Sequence, residues 1–405
     1  MKRVAYLVSE YFAPSHTFVR REVAALREAG LTVSPFSIQA SDQDEGVQAV
    51  LGRPFYQYPV AFLQAFVRQP RRLVSSWFLA LRHRPPGLRS LLWSQFHFVE
   101  AVLLANLVKS ARCTHLHNHF ANSAATVGMI AAHFLKIPWS FTLHGISETD
   151  YPAGMLLGEK LQRADFVACA SYFMRAQAMR CVDVRCWGKM HIVRCGVDLE
   201  QLCTGGFQSD KRDASATVKL ITVGRLSAEK GYFGLLEVLS RLQVEGCTFS
   251  ATIVGDGPSG EAIRARVDAL SLHNVVRFTG ALSEAETVAE IRRSDVMALP
   301  SLMEGLPVVL IEALAMQKAV VASCVAGIPE LVAEGVTGLL FTPSNWDDLE
   351  FQLRRLLMDP ELCSALGSAG FHRVEAEFQS KTAATTLRGL FTQSEKHSAS
   401  AYPFY

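Results

Sequence analysis

Short apolar runs alternate with segments of helical period along almost the whole chain, and that order admits few folds. Strand, helix and strand in succession is the βαβ unit, and repeated units build parallel sheets with helices on both faces. In the first half the pattern predicts strands at 3–8, 32–37, 113–117, 139–143, 166–170 and 191–194, with helices at 17–28, 122–134, 155–164 and 172–179. In the second half it predicts strands at 218–223, 250–254, 275–279, 296–299, 319–322 and 338–341, with helices at 232–244, 261–270, 284–293, 307–316 and 347–358. A chain of 405 residues exceeds what one core usually serves, so two α/β domains are expected, 1–198 and 218–370. The polar, aperiodic stretch 199–217 reads as their linker, and 371–405 follows as a tail. Two Rossmann-like doubly wound domains are expected to face each other across a cleft, with ligands at the carboxyl ends of the strands.

The bulk properties exclude more than they name. A net charge of +2 gives no electrostatic case for nucleic acid. The nine cysteines contain no C-x-x-C pair, and the loose cluster Cys181, Cys186, Cys195 and Cys203 fits no zinc knuckle or ribbon. That usage suits a reducing cytosol. The apolar N-terminal run stops at Ser9-Glu10, as a buried strand would and an export signal would not. No stretch is expected to be long enough to span a membrane.

Two segments carry the chemistry of the second half. Residues 224–231 read GRLSAEKG directly after a predicted strand. Gly224 lets the backbone turn, Arg225 lies past the strand's carboxyl end, and Lys230 and Gly231 precede a helix whose free N–H groups attract anions. An Arg and a Lys converging on a diphosphate make charge-assisted hydrogen bonds and neutralise a leaving group. Residues 304–312 read EGLPVVLIE after the predicted strand 296–299. Pro307 suits the first helical position, so Gly305, Leu306, Pro307 and Val308 present a helix start. Glu304 falls in the loop and Glu312 more than a turn into an apolar helix, where a carboxylate needs a partner. Anions for sugar hydroxyls and ribose beside cations for phosphate suggest a nucleotide-sugar, with plain surface charge as the alternative. Residues 255–260 (GDGPSG) also match G-x-G-x-x-G, but Pro258 inside the turn tells against a dinucleotide site.

In this order, G-R-L-x-x-E-K-G, V-G-D-G-P and E-G-x-P-x-x-x-x-E resemble the nucleotide-sugar half of the family-four retaining glycosyltransferases of GT-B fold. G-I-P-E at 327–330 and G-x-T-G at 335–338 fit the same pattern, and the resemblance spans 218–378. It implies that Arg225 and Lys230 hold the donor diphosphate, Glu312 the ribose and Glu304 the transferred sugar. Gly224, Gly255, Asp256, Gly257 and the backbone of Gly305, Leu306, Pro307 and Val308 complete that donor site. It implies no metal and no cofactor, the UDP- or GDP-sugar being a co-substrate. It further implies that a final helix, 371–391, returns to the first domain.

In the first half His115, His117 and His119 alternate in THLHNHF, and His144 follows in TLHG. Alternate strand residues share a face, which raises a metal reading, but no fourth ligand is evident. H-x-H-F-A-x-x-x-A followed by T-x-H-G resembles the acceptor half of family-four enzymes that build bacterial exopolysaccharides of the colanic-acid type. That resemblance puts His144 near the reacting carbon, catalytic with Glu304, Arg225 and Lys230, and gives His119 a structural or acceptor-side role. In such enzymes an acid often follows H-G closely. Here Ile146, Ser147 and Glu148 intervene before Asp150, which is carried as the acceptor-side candidate while the choice of acid stays open. Ser15 and His16 stand where relatives often read S-E-T-F, so their loop is expected to face the acceptor. Asp42-Gln43-Asp44 is a D-x-D, the divalent-ion pattern of glycosyltransferases of another fold, but no strand presents it.

From Gly46 to Val99 there is no Asp or Glu, while Arg53, Arg68, Arg71, Arg72, Arg82, Arg84 and Arg89 all fall there. Within 64–99 the arginines interleave with Trp77, Phe78, Trp93 and Phe96, as in interfacial membrane helices, or as in a helical pair packed on the domain with solvated arginines. The first reading puts a polyprenyl-linked saccharide acceptor at the inner face of the cell membrane. The expectation for the whole is a cytoplasmic, retaining, metal-independent transfer in bacterial exopolysaccharide or lipopolysaccharide synthesis. A GT-B nucleotide-sugar epimerase and a non-catalytic partner in a glycan-assembly complex are the alternatives.

Overall fold

The computed structural model describes residues 3–13, 16–40, 46–150, 153–203 and 217–400, with side chains through Ser394. It divides into two compact units, residues 1–194 with 381–405, and residues 195–380. The first unit holds β1 (Arg3–Val8), β2 (Thr32–Ser37), β3 (Gln48–Ala49), β4 (His115–His119), β5 (Trp139–Leu143), β6 (Val167–Cys169) and β7 (Met190–Ile192). All neighbours run parallel, in the order β3-β2-β1-β4-β5-β6-β7. The order reverses between β1 and β4, where the loops leaving the strands diverge and open a crevice at the carboxyl edge.

The apolar pattern places β4 two residues too early. Helices on both faces bury this strand fully, so an apolar run is expected, yet its face carries histidines. Hydroxyls of the neighbouring strand satisfy them. Ser140 Oγ lies 2.7 Å from His115 Nε2 and 2.8 Å from His117 Nδ1, while Thr142 Oγ1 lies 3.0 Å from His117 Nε2. A polar ladder between paired strands replaces apolar contact, and hydrophobicity cannot reveal it.

The second unit holds β8 (Val218–Val223), β9 (Phe249–Val254), β10 (Val276–Gly280), β11 (Val296–Leu299), β12 (Ala319–Ser323) and β13 (Leu339–Phe341). Its parallel order is β10-β9-β8-β11-β12-β13, with the reversal between β8 and β11. The start of the expected linker is a short helix, Leu199–Cys203, and 204–216 lie outside the described residues. Two helices, Pro360–Glu377 and Ser380–Ser400, replace the single helix expected over 371–391. The break falls at buried Phe378, whose carbonyl accepts from Val197 N–H at 2.9 Å. Leu387 and Phe391 of the last helix pack with Tyr6, Val8 and Phe166 in the first unit.

The helix Leu88–Ser110 corrects another expectation, because it is long and apolar enough to cross a membrane. Its second half is buried from Phe98 to Val108 and packs against the helix Ser123–Leu135. In this fold its second half belongs to the core, while Leu88, Leu92, Trp93 and Phe96 of its first half are exposed.

Candidate functional site

In the second unit the loops leaving β8, β9 and β11 meet at the carboxyl edge of the sheet. Gly224 N–H donates to the Val254 carbonyl and Leu226 N–H to the Asp256 carbonyl, each at 3.0 Å, which joins the first turn to the second. So close an approach requires glycine. Gly255 has φ +134°, and a Cβ there would stand 2.0 Å from the Gly224 carbonyl oxygen. Leu302 N–H donates to the Glu229 carbonyl at 2.7 Å and ties the β11 loop to the β8 loop. Lys230 Nζ then lies 2.6 Å from Glu304 Oε1, which also accepts from Ser301 Oγ at 2.6 Å. The predicted cation and anion are therefore direct neighbours and not scattered surface charge.

The remaining residues expected on the donor side occupy graded depths. Arg225 and Asp256 are exposed at the mouth, and Asp256 Oδ1 accepts from Gly257 N–H at 2.7 Å. Gly224, Gly257, Gly305 and Val308 are half-buried, while Leu306 and Pro307 are buried. Pro307 is not the first helical residue. Its ψ of 114° is extended, so it caps the helix Val308–Ala315 and Val308 takes the first position. Glu312 is buried further along that helix.

In the first unit His119 ends β4 and His144 follows β5, so register alone brings them to one edge. Their rings stack with centroids 5.1 Å apart, and His119 Nδ1 lies 2.9 Å from His144 Nε2. Phe18 and Phe120 flank His144 with centroids at 4.6 and 4.8 Å. His16 lies 5.0 Å from Phe120 and donates from Nδ1 to the Glu10 carbonyl at 2.6 Å. Burial, then the neighbouring His119 and His16, hold His144 well below the ordinary imidazole range, so it is neutral at pH 7. Behind it, His119 Nε2 lies 3.1 Å from Glu22 Oε1, which accepts from the Tyr6 hydroxyl at 2.8 Å.

The acid beside His144 is Glu148, which the sequence reading left open. Its Oε1 accepts from the N–H groups of His144 and Gly145 at 2.6 and 2.8 Å, and its Oε2 from Ala121 N–H at 2.6 Å. It thus fastens the loop after β5 to the loop after β4. Lys160 Nζ donates to the Ala121 and Asn122 carbonyls at 2.6 and 2.8 Å. Burial pushes the Glu148 carboxyl up to about 7 against three amide donors, and pushes the Lys160 ammonium down to about 7. Asp150 is exposed and does not take this place. G-x-x-E at 145–148 carries the readable signal, since a Glu three residues past a helix cap reaches back to the cap's amide.

Ser15, Asp42 and Asp44 lie outside the described residues. Among the described residues, Glu22, His117 and His119 form a group whose potential metal-ligating atoms lie within 4.8 Å of one another. Both His117 nitrogens face hydroxyls, His119 Nδ1 faces His144, and Glu22 Oε1 accepts from Tyr6. The His117 nitrogens and His119 Nδ1 serve the strand ladder and the His119–His144 stack, while His119 Nε2 faces Glu22 Oε1 at 3.1 Å.

Comparison with known proteins places both halves. The family model described as Glycosyltransferase Family 4 matches residues 15–201, and that described as Glycosyl transferases group 1 matches residues 208–373. The putative colanic acid biosynthesis glycosyltransferase WcaL of Salmonella typhimurium is 25% identical over 371 residues, covering 85% of this chain and 87% of that protein. The alpha-D-kanosaminyltransferase of Streptomyces kanamyceticus is 29% identical over 174 residues, which cover 43% of this chain and 45% of that protein. Among solved structures, sucrose-phosphate synthase from Thermosynechococcus elongatus superposes with TM-score 0.76 at 19% identity, covering 97% of this chain and 99% of that one. Anabaena HepE, solved in complex with UDP and glucose, superposes with TM-score 0.73 at 18% identity, covering 97% of this chain and all of that one. With one family model on each half, the chain belongs to the family-four glycosyltransferases of GT-B fold and resembles enzymes of exopolysaccharide synthesis.

Proposed function

We propose that this glycosyltransferase moves a sugar from a nucleoside-diphosphate sugar, UDP- or GDP-linked, to a lipid-linked saccharide acceptor, with retention and without a metal ion. The observation that carries the reading is the Lys230–Glu304 contact at 2.6 Å, set where the strand order of the second unit reverses. A cation beside an anion at that edge matches a ligand that is phosphate at one end and polyhydroxyl at the other. Arg225, exposed at the same mouth, adds the second positive charge a diphosphate calls for. The solved complexes of HepE with UDP and glucose and with UDP-glucose support a UDP-sugar donor. The likeness to WcaL, named for colanic acid biosynthesis, supports a saccharide acceptor.

In the reaction the acceptor oxygen bonds to the anomeric carbon on the face from which the diphosphate leaves. The bond from that carbon to the phosphate oxygen breaks, its electron pair departs with the nucleoside diphosphate, and the acceptor proton passes to the leaving phosphate. Arg225 and Lys230 stabilise the charge that develops there. His144, neutral and collared by Phe18 and Phe120, offers a hydroxyl a hydrogen bond without adding charge.

Calorimetric titration of UDP-, GDP- and ADP-sugars in EDTA tests the donor site, with the parent and Arg225→Ala/Lys230→Ala compared. One donor class is expected to bind the parent, and the double variant is expected to lose roughly a hundredfold in affinity, from two charged hydrogen-bond partners. Failure of the folded parent to bind any of them, or binding that requires an added divalent ion, overturns the reading.

A further inference from the structure

One carboxylate of the first unit is buried where the helical pattern calls for an apolar side chain. The helix Thr17–Glu28 turns Val19, Glu22, Val23 and Leu26 inward, at the three- and four-residue spacing of a core-facing stripe. Val19, Val23 and Leu26 join an apolar cluster with Val4, Tyr6 and Val33, and Glu22 stands among them. A carboxylate so placed needs donors. Two groups face its Oε1: the Tyr6 hydroxyl at 2.8 Å and His119 Nε2 at 3.1 Å. Burial, and then Glu22 itself, hold the Tyr6 hydroxyl well above the ordinary phenol range, so it keeps its proton and donates.

That donor fixes the hydrogens of the next two rings. An oxygen that accepts from Tyr6 presents only lone pairs to His119, so Nε2 of His119 carries a hydrogen; a bare Nε2 would set one lone pair against another. A neutral imidazole with its hydrogen on Nε2 keeps its lone pair on Nδ1. His119 Nδ1 lies 2.9 Å from His144 Nε2, so His144 supplies the hydrogen of that contact. His144 is itself neutral, and its own lone pair then falls on Nδ1. Reversing the row would leave the buried Nε2 of His119 without a hydrogen to give Glu22, which disfavours the reversed row about tenfold or more. The rings are held in place by their neighbours. Tyr6 and His117 each pack on His119 with centroids at 5.3 Å, and His144 stacks on it at 5.1 Å.

We propose that Glu22, acting through His119, sets the tautomer of His144, so that His144 meets its substrates as a hydrogen-bond acceptor. Glu22 and His119 are positioning residues in this arrangement, and Tyr6 orients Glu22. The partner that suits a lone pair on Nδ1 is a group that donates. A saccharide hydroxyl does so, whereas an ionised phosphate oxygen only accepts and is turned away toward the cations. The use made of His144 rests on the glycosyl-transfer reading, while the tautomer is a property of the first unit alone.

Nitrogen NMR of the full chain labelled at histidine, recorded at neutral pH without substrate and assigned with His144→Gln, reads the tautomers. In the parent, His144 is expected to carry its hydrogen on Nε2. Tyr6→Phe/Glu22→Leu removes the acceptor without leaving an unpaired hydroxyl behind. In it His144 is expected to populate both tautomers, and turnover to fall about tenfold or more while the KM for the donor stays within a few-fold of the parent. Glu22→Gln keeps an oxygen for Tyr6 and His119 to reach, so it is expected to hold the parent tautomer and recover most of that turnover. A hydrogen on Nδ1 of His144 in the parent overturns the proposal, and the parent spectrum decides this even if the double variant does not fold. A parent-like tautomer in the double variant, whatever its turnover, also overturns it and leaves Glu22 a packing role. Failure of every nucleotide-sugar to bind, with the tautomers as expected, sinks the donor reading and upholds the Glu22 assignment.

Discussion

Changing Glu148 to Gln separates its two oxygens, because they serve different loops. Oε1 accepts from His144 and Gly145, and the Gln carbonyl oxygen can take over both bonds. Oε2 accepts from Ala121 N–H, and the Gln side chain offers an N–H₂ group there instead. Ala121 is buried, so its amide loses its partner and faces a second donor. An unsatisfied buried donor costs about 1–3 kcal/mol, which is one to two decades of amide exchange rate. Glu148→Ala leaves three amides unpaired and Lys160 without its counter-charge, so its cost is several kcal/mol. Native-state hydrogen exchange reads each amide separately. In Glu148→Gln, protection at Ala121 is expected to fall ten- to hundredfold while His144 and Gly145 stay within a few-fold of the parent. Turnover is expected to fall with little change in donor affinity, because the loops proposed to hold the donor belong to the other unit. Equal loss at all three amides, or undiminished protection at Ala121, refutes the split role of the two oxygens.

Two further outcomes follow from single positions. Gly255→Ala is expected to weaken donor binding at least tenfold, since φ of +134° and a carbonyl oxygen 2.0 Å from the new Cβ force the second-unit turns apart; calorimetry checks it, and Gly246→Ala, with nothing near its Cβ, serves as the control for backbone strain alone. Burial raises the Glu100 carboxyl from its ordinary 4.5 to about 7, so the folded chain holds a proton that the unfolded chain releases between those values. That contribution to stability is full below about pH 4.5 and is lost as pH rises through about 7. Glu100→Gln is therefore expected to be more stable than the parent at pH 8 by about 1–2 kcal/mol after screening of the partly exposed group, and not at pH 4.5, as urea midpoints would show.

Strands whose apolar runs end abruptly were legible to the residue. Arg3–Val8, Thr32–Ser37, Trp139–Leu143, Val218–Val223 and Val296–Leu299 fall where periodicity puts them. Gln48–Ala49 escaped because two residues show no period, and β4 was displaced because histidines and an asparagine fill buried positions. The turns and charges of the second unit's carboxyl edge were legible as a set, since glycine marks the turns and charge marks their mouths. Their contact was not, because Lys230 and Glu304 lie 74 residues apart and meet only when β11 pairs with β8. Glu148 was harder still. A buried acid reads as a surface acid in any hydrophobic pattern, and its three amide partners come from the backbone, which sequence does not display.

The two ionisable clusters differ in burial, and that difference assigns them different work. Lys160 and Glu148 are almost fully enclosed and spend their bonds on backbone groups of the loops they hold. Removing either strands the other in a medium that cannot solvate it, so they act as braces and their loss registers first as local unfolding. The side chain of Lys230 keeps 22% of its surface in water, and that of Glu304 9%. An ammonium has three donors, and the Glu304 contact uses one of them. Lys230 therefore has donors left for phosphate while Glu304 holds its position. Glu304→Gln retains the acceptor oxygen that Ser301 and Lys230 both reach, so the loop survives and only the charge is lost. That substitution should leave the unfolding transition in place while lowering turnover. A large fall in stability would mean that Glu304 braces the loop as Glu148 does, and that the charge opposite the cations has no part in the chemistry.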